Sequence, residues 1–208
     1  NNCLEINRQL TEVNLPNTLE VLPSLFFRSC SSIETIDLPD TLKEIGTGAF
    51  QTCTGLNSIT IPQSVENIGI EAFVGCNSLK TVNFYGSSEI LNMTFAMCTS
   101  LDTIVIPDGV KDLTGTFIGC TSLKDIEISN TVNQFSGTFD GCSALETIFI
   151  PNSVSDTFNL SVGNGSFVPS GYYSVFENCE SLKEVIIDNT KDNLSVSVPT
   201  GCTITYLR

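Results

Sequence analysis

The sequence predicts a repeat solenoid, a coil of short stacked units, and three observations predict it. The first is the skeleton Phe-x-x-Cys-x-x-Leu-x-x-Ile-x-Ile-Pro, which is complete in Phe50–Pro62. The second is its recurrence, because phenylalanines at positions 27, 50, 73, 95, 117, 139 and 176 follow at intervals of 23, 23, 22, 22, 22 and 37 residues. The third is that seven of the nine cysteines keep the same intervals. Copies of one short unit are typical of solenoids, in which each unit packs only on its neighbours.

Within each unit, the pattern of apolar residues predicts two extended segments and one tight turn. Ile59 and Ile61 alternate with Thr60, which is the period of a strand with one face buried. A proline then ends the strand. A second apolar pair, such as Val65 and Ile68, predicts a second short strand or extended segment. The stretch leading into Phe-x-x-Cys is expected to form one or two helical turns, since it is too short for an independent helix.

The units predict one array over residues 1–187, made of seven full units and a partial first unit. An insertion is expected at about 155–175, because the last interval exceeds one unit by 14 residues. Residues 188–208 lack the Phe-x-x-Cys signal and are expected to form a C-terminal cap over the exposed core. The chain begins at Asn1 without a methionine or signal sequence, which indicates a processed or truncated piece of a longer protein.

Composition excludes some classes of partner. Hydrophobic residues make up 41% of the chain, which is too apolar for a disordered protein, yet no apolar run is long enough to span a membrane. The net charge of −14 opposes binding to nucleic acid, because an acidic surface repels phosphate. Few charged residues among many Asn, Ser and Thr favour an extracellular or cell-surface protein.

The cysteines and carboxylates do not predict a catalytic or metal site. Cysteines one unit apart form a single file, whereas a metal needs about four ligands around one point. Equivalent residues of stacked strands lie too far apart for most disulfides, so we expect a column of buried thiols. The chain has no His to activate a Ser or Cys nucleophile. Carboxylate pairs such as Asp125 and Glu127 with Glu146 leave glycoside hydrolysis or calcium binding as alternatives, but we expect no enzyme activity, no metal and no cofactor.

The outward positions of the predicted strands form two columns. The first column contains Glu12, Thr35, Ser58, Thr81, Thr103, Asp125, Thr147 and Glu184. The second contains Asn14, Asp37, Thr60, Asn83, Val105, Glu127, Phe149 and Ile186. The second column becomes apolar towards its C-terminal end, and exposed apolar side chains on a sheet indicate a contact surface.

The candidate ligand-binding residues come from the second column and from the insertion. They are Thr60, Asn83, Val105, Glu127, Phe149, Ile186, Tyr172 and Tyr173. The tyrosines are included because long loops carry function and Tyr favours interfaces. Two alternatives remain open: the insertion or the cap covers Phe149 and Ile186, and the insertion is an irregular structural loop.

The unit I-P-x-x-V-x-x-I-G-x-x-A-F-x-x-C-x-x-L-x-x-I-x-I-P, seen almost throughout residues 61–84, resembles the BspA-type, or treponemal, leucine-rich repeat. The resemblance covers about residues 10–154 and 176–187. Tyr85 and Ser129 depart from it by replacing the proline. It implies a right-handed superhelix with a parallel sheet on the concave face. Proteins of this family are often surface or secreted adhesins, which implies a similar role here.

We therefore expect a non-catalytic, cell-surface or secreted module that binds an extracellular protein or glycan, in adhesion to host or neighbouring cells. The alternative is a structural spacer or display segment of a longer surface protein. We expect no membrane insertion in this segment, and a monomer or weak dimer through the end units.

Overall fold

The computed structural model describes residues 8–154, 175–188 and 198–207, and within them the chain forms a parallel β-solenoid. One turn of the solenoid, here called a rung, corresponds to one sequence unit. The strands are β1 Val21–Leu22, β2 Glu44–Ile45, β3 Ser58–Ile61, β4 Asn67–Ile68, β5 Thr81–Phe84, β6 Thr103–Val105, β7 Asp125–Glu127, β8 Thr147–Ile150, β9 Glu184–Asp188 and β10 Thr203–Leu207.

The main sheet is built from the first strand of each rung, as the alternation of apolar residues predicts. β3 pairs with β5, β6 with β7, and β8, β9 and β10 pair in that order, always in parallel. The register places equivalent residues side by side, for example Ile59 beside Val82 and Ile148 beside Val185. The predicted solenoid with a parallel sheet is therefore confirmed.

A second, narrower ladder follows the turn in each rung. β1, β2 and β4 pair in parallel, and single bridges from Ile90 to Asp112 and from Asp112 to Gln134 continue the pattern. The second apolar pairs that predict these segments are all buried: Leu42 and Ile45, Val65 and Ile68, Val110 and Leu113, and Val132 and Phe135.

The core is a set of columns, the largest of which is a stack of seven phenylalanines. Rings of Phe27, Phe50, Phe73, Phe95, Phe117, Phe139 and Phe176 are fully buried. Successive centroids lie 5.1–6.1 Å apart, with interplanar angles of 4–22°. Each such contact adds about 0.5–1.5 kcal/mol to the free energy gained by burying the ring.

The expectation of helical turns before and through Phe-x-x-Cys is wrong for the described residues, where this segment is a run of turns. The residues two before and two after the phenylalanine have positive φ, for example Gly48 at 59° and Thr52 at 57°. Alternate N–H groups also bond to the next rung, as Phe50 N does to Ala72 O at 2.8 Å. A right-handed helix cannot form because left-handed residues interrupt it twice per rung.

Rungs of 23 and 22 residues differ by one glycine at the entrance to this turn. In the longer rungs, Gly46 N–H donates to Leu22 O at 2.8 Å, and Gly69 N–H donates to Ile45 O at 2.7 Å. A Cβ on Gly69 would lie 2.3 Å from Thr47 N, so the close approach of neighbouring rungs requires glycine here.

The shorter rungs lack this glycine and its N–H, and a threonine hydroxyl takes its place. Thr138 Oγ1 donates to Leu113 O at 2.9 Å, and Thr116 Oγ1 donates to Leu91 O. The longer rungs have Ala49 and Ala72 at the position of these threonines. The exchange of Ala for Thr therefore accompanies the loss of the glycine and keeps the buried carbonyl satisfied.

The insertion and the C-terminal region leave the stack continuous. Although 37 residues separate them, the rings of Phe139 and Phe176 lie 5.8 Å apart. Phe139 N–H also donates to Val175 O at 3.0 Å, so the rung resumes directly above its predecessor. In the predicted cap, β10 adds a strand beside β9. The proposed boundaries of the array, insertion and cap stay predictions.

Candidate functional site

The strand face, meaning the outward side of β3 and β5–β10, carries the two predicted columns. Register places Thr60 beside Asn83, and Asn83 Nδ2 donates to Thr60 Oγ1 at 3.2 Å. It also places Val105 beside Glu127 and Phe149 beside Ile186. The six candidate residues predicted from the strands therefore line up as a column, while their role in binding stays a prediction.

The C-terminal half of the strand face carries an apolar patch. The side chains of Val105 and Phe149 are 54% and 37% exposed, and Ile186 is half-buried. Phe149 and Ile186 line a shallow depression of about 370 Å³, together with Asp125, Glu127 and Thr147. The patch thus combines an aromatic ring, an aliphatic side chain and two carboxylates.

Whether the cap covers the patch stays a prediction, because residues 189–197 lie outside the described residues. β10 lies beside β9 and places Thr205 next to Ile186. Thr205 Oγ1 donates to Glu184 Oε1 at 2.6 Å, which fixes the polar border of the patch. The other alternative involves the insertion, and Tyr172 and Tyr173 belong to it; most of that segment, including both tyrosines, lies outside the described residues.

The ion pairs among the described residues do not include the carboxylates of this patch. Lys43 pairs with Glu20 at 3.1 Å, Lys111 with Glu89 at 2.5 Å, and Lys183 with Glu146 at 2.6 Å. The hydrogen bond from Lys183, with the charges of Lys183 and Lys124, lowers the pKa of Glu146. Asp125 and Glu127 have no ion pair among the residues that the structure describes.

The cysteine column is buried and contains no disulfide among the described residues, as predicted. The structure adds a bond that the sequence did not reveal, because each thiol from Cys53 to Cys179 donates to the phenylalanine carbonyl of the preceding rung. Cys53 Sγ lies 2.9 Å from Phe27 O, and Cys98 Sγ lies 3.3 Å from Phe73 O. The same bond recurs in Cys76, Cys120, Cys142 and Cys179. The thiols are weak donors and not purely apolar fillers.

Burial suppresses the chemistry of these thiols. Desolvation, with a smaller effect of the neighbouring Cys30, raises the pKa of Cys53 to about 12. Desolvation also raises the pKa of Cys179 to about 12. The pKa values of Cys76 and Cys98 also lie well above the ordinary value, for the same cause. Because the thiolate is the nucleophile and the metal ligand, these groups are inert at neutral pH.

No three His, Cys, Asp or Glu residues in the described part of the chain are grouped to hold a metal ion. Nor do those residues include a helix long and apolar enough to cross a membrane. The expected absence of a metal and of a cofactor stays a prediction.

Sequence reasoning missed two features of the surface. Thr147 and Asp125 border the depression although neither was among the candidate residues, and only register and strand spacing place them there. Ile70 and Met97 are also about half exposed, on the turns that flank Phe73 and Phe95. Other rungs have polar residues at the position of Ile70, and polar residues or glycine at the position of Met97, and this difference is the signal that would have identified them.

Comparison with solved structures identifies bacterial leucine-rich repeat proteins. A protein of Bacteroides ovatus is 26% identical with a TM-score of 0.62, over 98% of this chain and 62% of its own. One of Eubacterium ventriosum is 26% identical with a TM-score of 0.64, over 67% of this chain and 38% of its own. The leucine-rich repeat protein of T. pallidum is 26% identical with a TM-score of 0.64, over 79% of this chain and 72% of its own.

This chain thus spans less than two thirds of the length of the first two proteins. No curated protein matches the sequence. The family model of the BspA type leucine-rich repeat region matches residues 1–116, 43–161 and 89–208, which together cover the whole sequence. With the rung geometry described above, this match shows that the chain belongs to the BspA-type leucine-rich repeat family.

Proposed function

We propose that this chain is a non-catalytic binding module of a cell-surface or secreted protein, and that its strand face contacts an extracellular protein or glycan. The observation that supports it most is the exposure of Val105 and Phe149 beside Ile186 on an otherwise polar face. Aromatic residues with a polar surround are the usual composition of an interface centre. Adhesion to host or neighbouring cells follows as the biological role.

The polar part of the face supports the same function. Thr60 and Asn83 hydrogen-bond each other and leave further donors and acceptors on the surface. They occupy strands of a rigid sheet, which holds contact residues in fixed positions at little entropic cost on binding. Tyr172 and Tyr173 of the insertion complete the proposed binding surface as loop contacts.

The test is a screen of the purified chain against immobilised extracellular-matrix proteins and a glycan array. For any ligand found, the double variant Phe149→Asp/Ile186→Asp is expected to bind at least about tenfold more weakly, because it places charge in the apolar centre. Ile70→Asp is the matched control, since Ile70 is an apolar side chain 50% exposed on a turn that does not belong to the strand face. Unchanged affinity in the double variant would exclude this face.

A structural spacer is the second candidate. The Phe stack runs without interruption from Phe27 to Phe176, and the chain spans only part of the length of similar proteins. A spacer would separate other domains without binding a ligand. A screen without any ligand, together with flanking repeats or an anchor in the full-length protein, would favour the spacer.

The remaining parts of the proposal concern catalysis and assembly. We propose no enzyme activity, because Asp125 and Glu127 line a shallow depression on a sheet face and burial raises the pKa of thiols such as Cys76 well above its ordinary value. Turnover of any member of a glycan or peptide panel would contradict this. A monomer or weak dimer is proposed, since β10 is the last strand of its sheet among the described residues and an edge strand can pair with another chain. Analytical ultracentrifugation measures this state.

A further inference from the structure

We propose that the depression formed by Asp125, Glu127, Thr147, Phe149 and Ile186 binds a cationic peptide segment of a partner protein, with an Arg or Lys side chain beside an apolar one. This inference rests on the proposed function and specifies the partner's chemistry. The depression lies on the strand face, and its volume of about 370 Å³ suits two or three side chains and not a whole domain.

Charge on the strand face has one sign. Glu12, Asp37, Asp125, Glu127 and Glu184 occupy outward positions of the two columns, and no Lys or Arg does. Of the two lysines nearest the depression in sequence, Lys183 pairs with Glu146, and among the described residues Lys124 forms no ion pair with Asp125 or Glu127. The carboxylates of Asp125 and Glu127 therefore lack a cation from the described part of this chain, and a partner's cation complements them.

The position of Phe149 favours a cation with an apolar stem. Phe149 lies one rung beyond Glu127 in the same column, and both side chains line the depression. Asp125 and Glu127 are two residues apart on one strand, about 6.6 Å, with both side chains outward. A cationic group above the Phe149 ring would lie within the roughly 6 Å range of a cation–π contact and within reach of Glu127. Its methylene groups, or the next apolar side chain, would cover Ile186.

The same features disfavour a glycan at this depression. An acidic glycan is repelled by the carboxylates, and a neutral glycan leaves both of them without a counter-charge. A peptide brings the charge, the apolar contact and the extended shape together. We therefore assign the depression to a peptide segment, with glycan binding as an outcome that overturns the assignment.

The test begins with display of a random peptide library against the folded chain. Bound peptides are expected to be enriched in Arg or Lys next to an aliphatic or aromatic residue. The best peptide is then synthesised in two versions, one with its cationic residue and one with uncharged citrulline in place of that residue. Removing the charge from the peptide, or introducing Asp125→Asn/Glu127→Gln in the protein, is expected to weaken binding by about tenfold, which is about 1.4 kcal/mol, since the ion pairs between them are lost.

Asp37→Asn is the matched control, because Asp37 is an exposed carboxylate of the same column, several rungs from the depression. It is expected to change affinity by less than about twofold. Raising the salt concentration should weaken binding to the unmodified protein and have a smaller effect on the Asp125→Asn/Glu127→Gln variant. Circular dichroism of each variant checks that the fold is intact.

Two results would overturn the inference. One is a set of bound peptides without enrichment in cations, or no bound peptide. The other is a ligand from the protein and glycan screen whose binding is lost in Phe149→Asp/Ile186→Asp but unchanged in Asp125→Asn/Glu127→Gln. The second result would leave the proposed binding function supported and remove only the cationic peptide, so the two failures are distinguishable.

Discussion

Thr94, Thr116 and Thr138 occupy one position in successive rungs, directly before the stacked phenylalanine, and all three are fully buried. A buried hydroxyl is costly unless it is hydrogen-bonded. Thr116 and Thr138 satisfy this by donating to the carbonyl that a glycine N–H serves in longer rungs. The hydroxyl of Thr94, at the junction between the two rung lengths, has no partner among the described residues.

This difference gives a prediction for two chemically identical substitutions. Thr138→Val removes the donor to Leu113 O and is expected to lower the free energy of unfolding by about 1 kcal/mol. The cost is moderate because the Leu113 carbonyl also accepts from Thr116 N–H at 3.0 Å. Thr94→Val is the control and is expected to be neutral or stabilising, since it removes an unsatisfied group. Urea unfolding of both variants measures the difference, and equal losses would contradict it.

At this scale the sequence predicts which side chains are buried and not all of their bonds. The periodicity identifies the cysteine column from spacing alone. The bond from each thiol to a phenylalanine carbonyl depends on the register of two rungs, which no local pattern reports. The same holds for Thr138, whose partner lies 25 residues away.

The turn through Phe-x-x-Cys is the element in which backbone strain is concentrated. Its left-handed positions hold Gly119 and Gly141 in two rungs, but Thr52 and Met97 in others. A β-branched residue such as Thr52 rarely has positive φ. From the local sequence alone a helical turn is predicted here. In the folded chain, residues with left-handed backbone interrupt that turn, and hydrogen bonds to the next rung offset the energetic cost of their positive φ.

Two glycine substitutions separate strain from steric contact in this element. Gly141→Ala is expected to cost about 1–2 kcal/mol from its φ of 75° alone, since its Cβ would meet Gly119 of the preceding rung at an ordinary 3.4 Å. Gly119→Ala is expected to cost slightly more, because its Cβ would lie 2.5 Å from Met97 Sδ and the flexible, half-exposed Met97 side chain must move away. In the Met97→Ala background the steric contact is absent, so Gly119→Ala is expected to cost there only what Gly141→Ala costs in the unmodified protein. Thermal unfolding checks this, and an excess that persists would contradict the steric explanation.

On the scale of the whole molecule, the thiol column links stability to pH. Burial raises the pKa of each described thiol in the column from Cys53 to Cys179 above the ordinary value of 9.0. A thiol in the unfolded chain loses its proton near pH 9, whereas in the folded chain Cys53 keeps it to about pH 12. Unfolding therefore releases protons in this range.

We expect the contribution of the thiols to the free energy of unfolding to be constant below about pH 8. It is expected to fall as pH rises from about 9 towards 12. Cys76→Ser/Cys98→Ser is expected to show a shallower decline, because the hydroxyls do not titrate there and can still donate to the same carbonyls. Urea unfolding at several alkaline pH values measures both slopes. Identical slopes would show that other groups cause the pH dependence.

The whole-molecule architecture could be predicted because each rung repeats the same signal, so that errors in one unit do not accumulate. The candidate site could be predicted only as a column of outward residues. Whether Phe149 is exposed depends on what lies over it, and β10 approaches Ile186 from a segment without the repeat pattern. The depression around Phe149 is therefore a property of the assembled solenoid.

The two rung lengths bear on how such a protein can lengthen during evolution. A duplicated unit keeps its hydrogen bonds to both neighbouring rungs when all three have the same length. A shorter rung copied among shorter rungs, for example, supplies its own threonine donor. Where a shorter unit follows a longer one, as at Thr94, the donor and acceptor no longer match. Repeat units of this family should therefore be duplicated mainly among neighbours of the same length, and positions where a 22-residue unit follows a 23-residue unit should be rare.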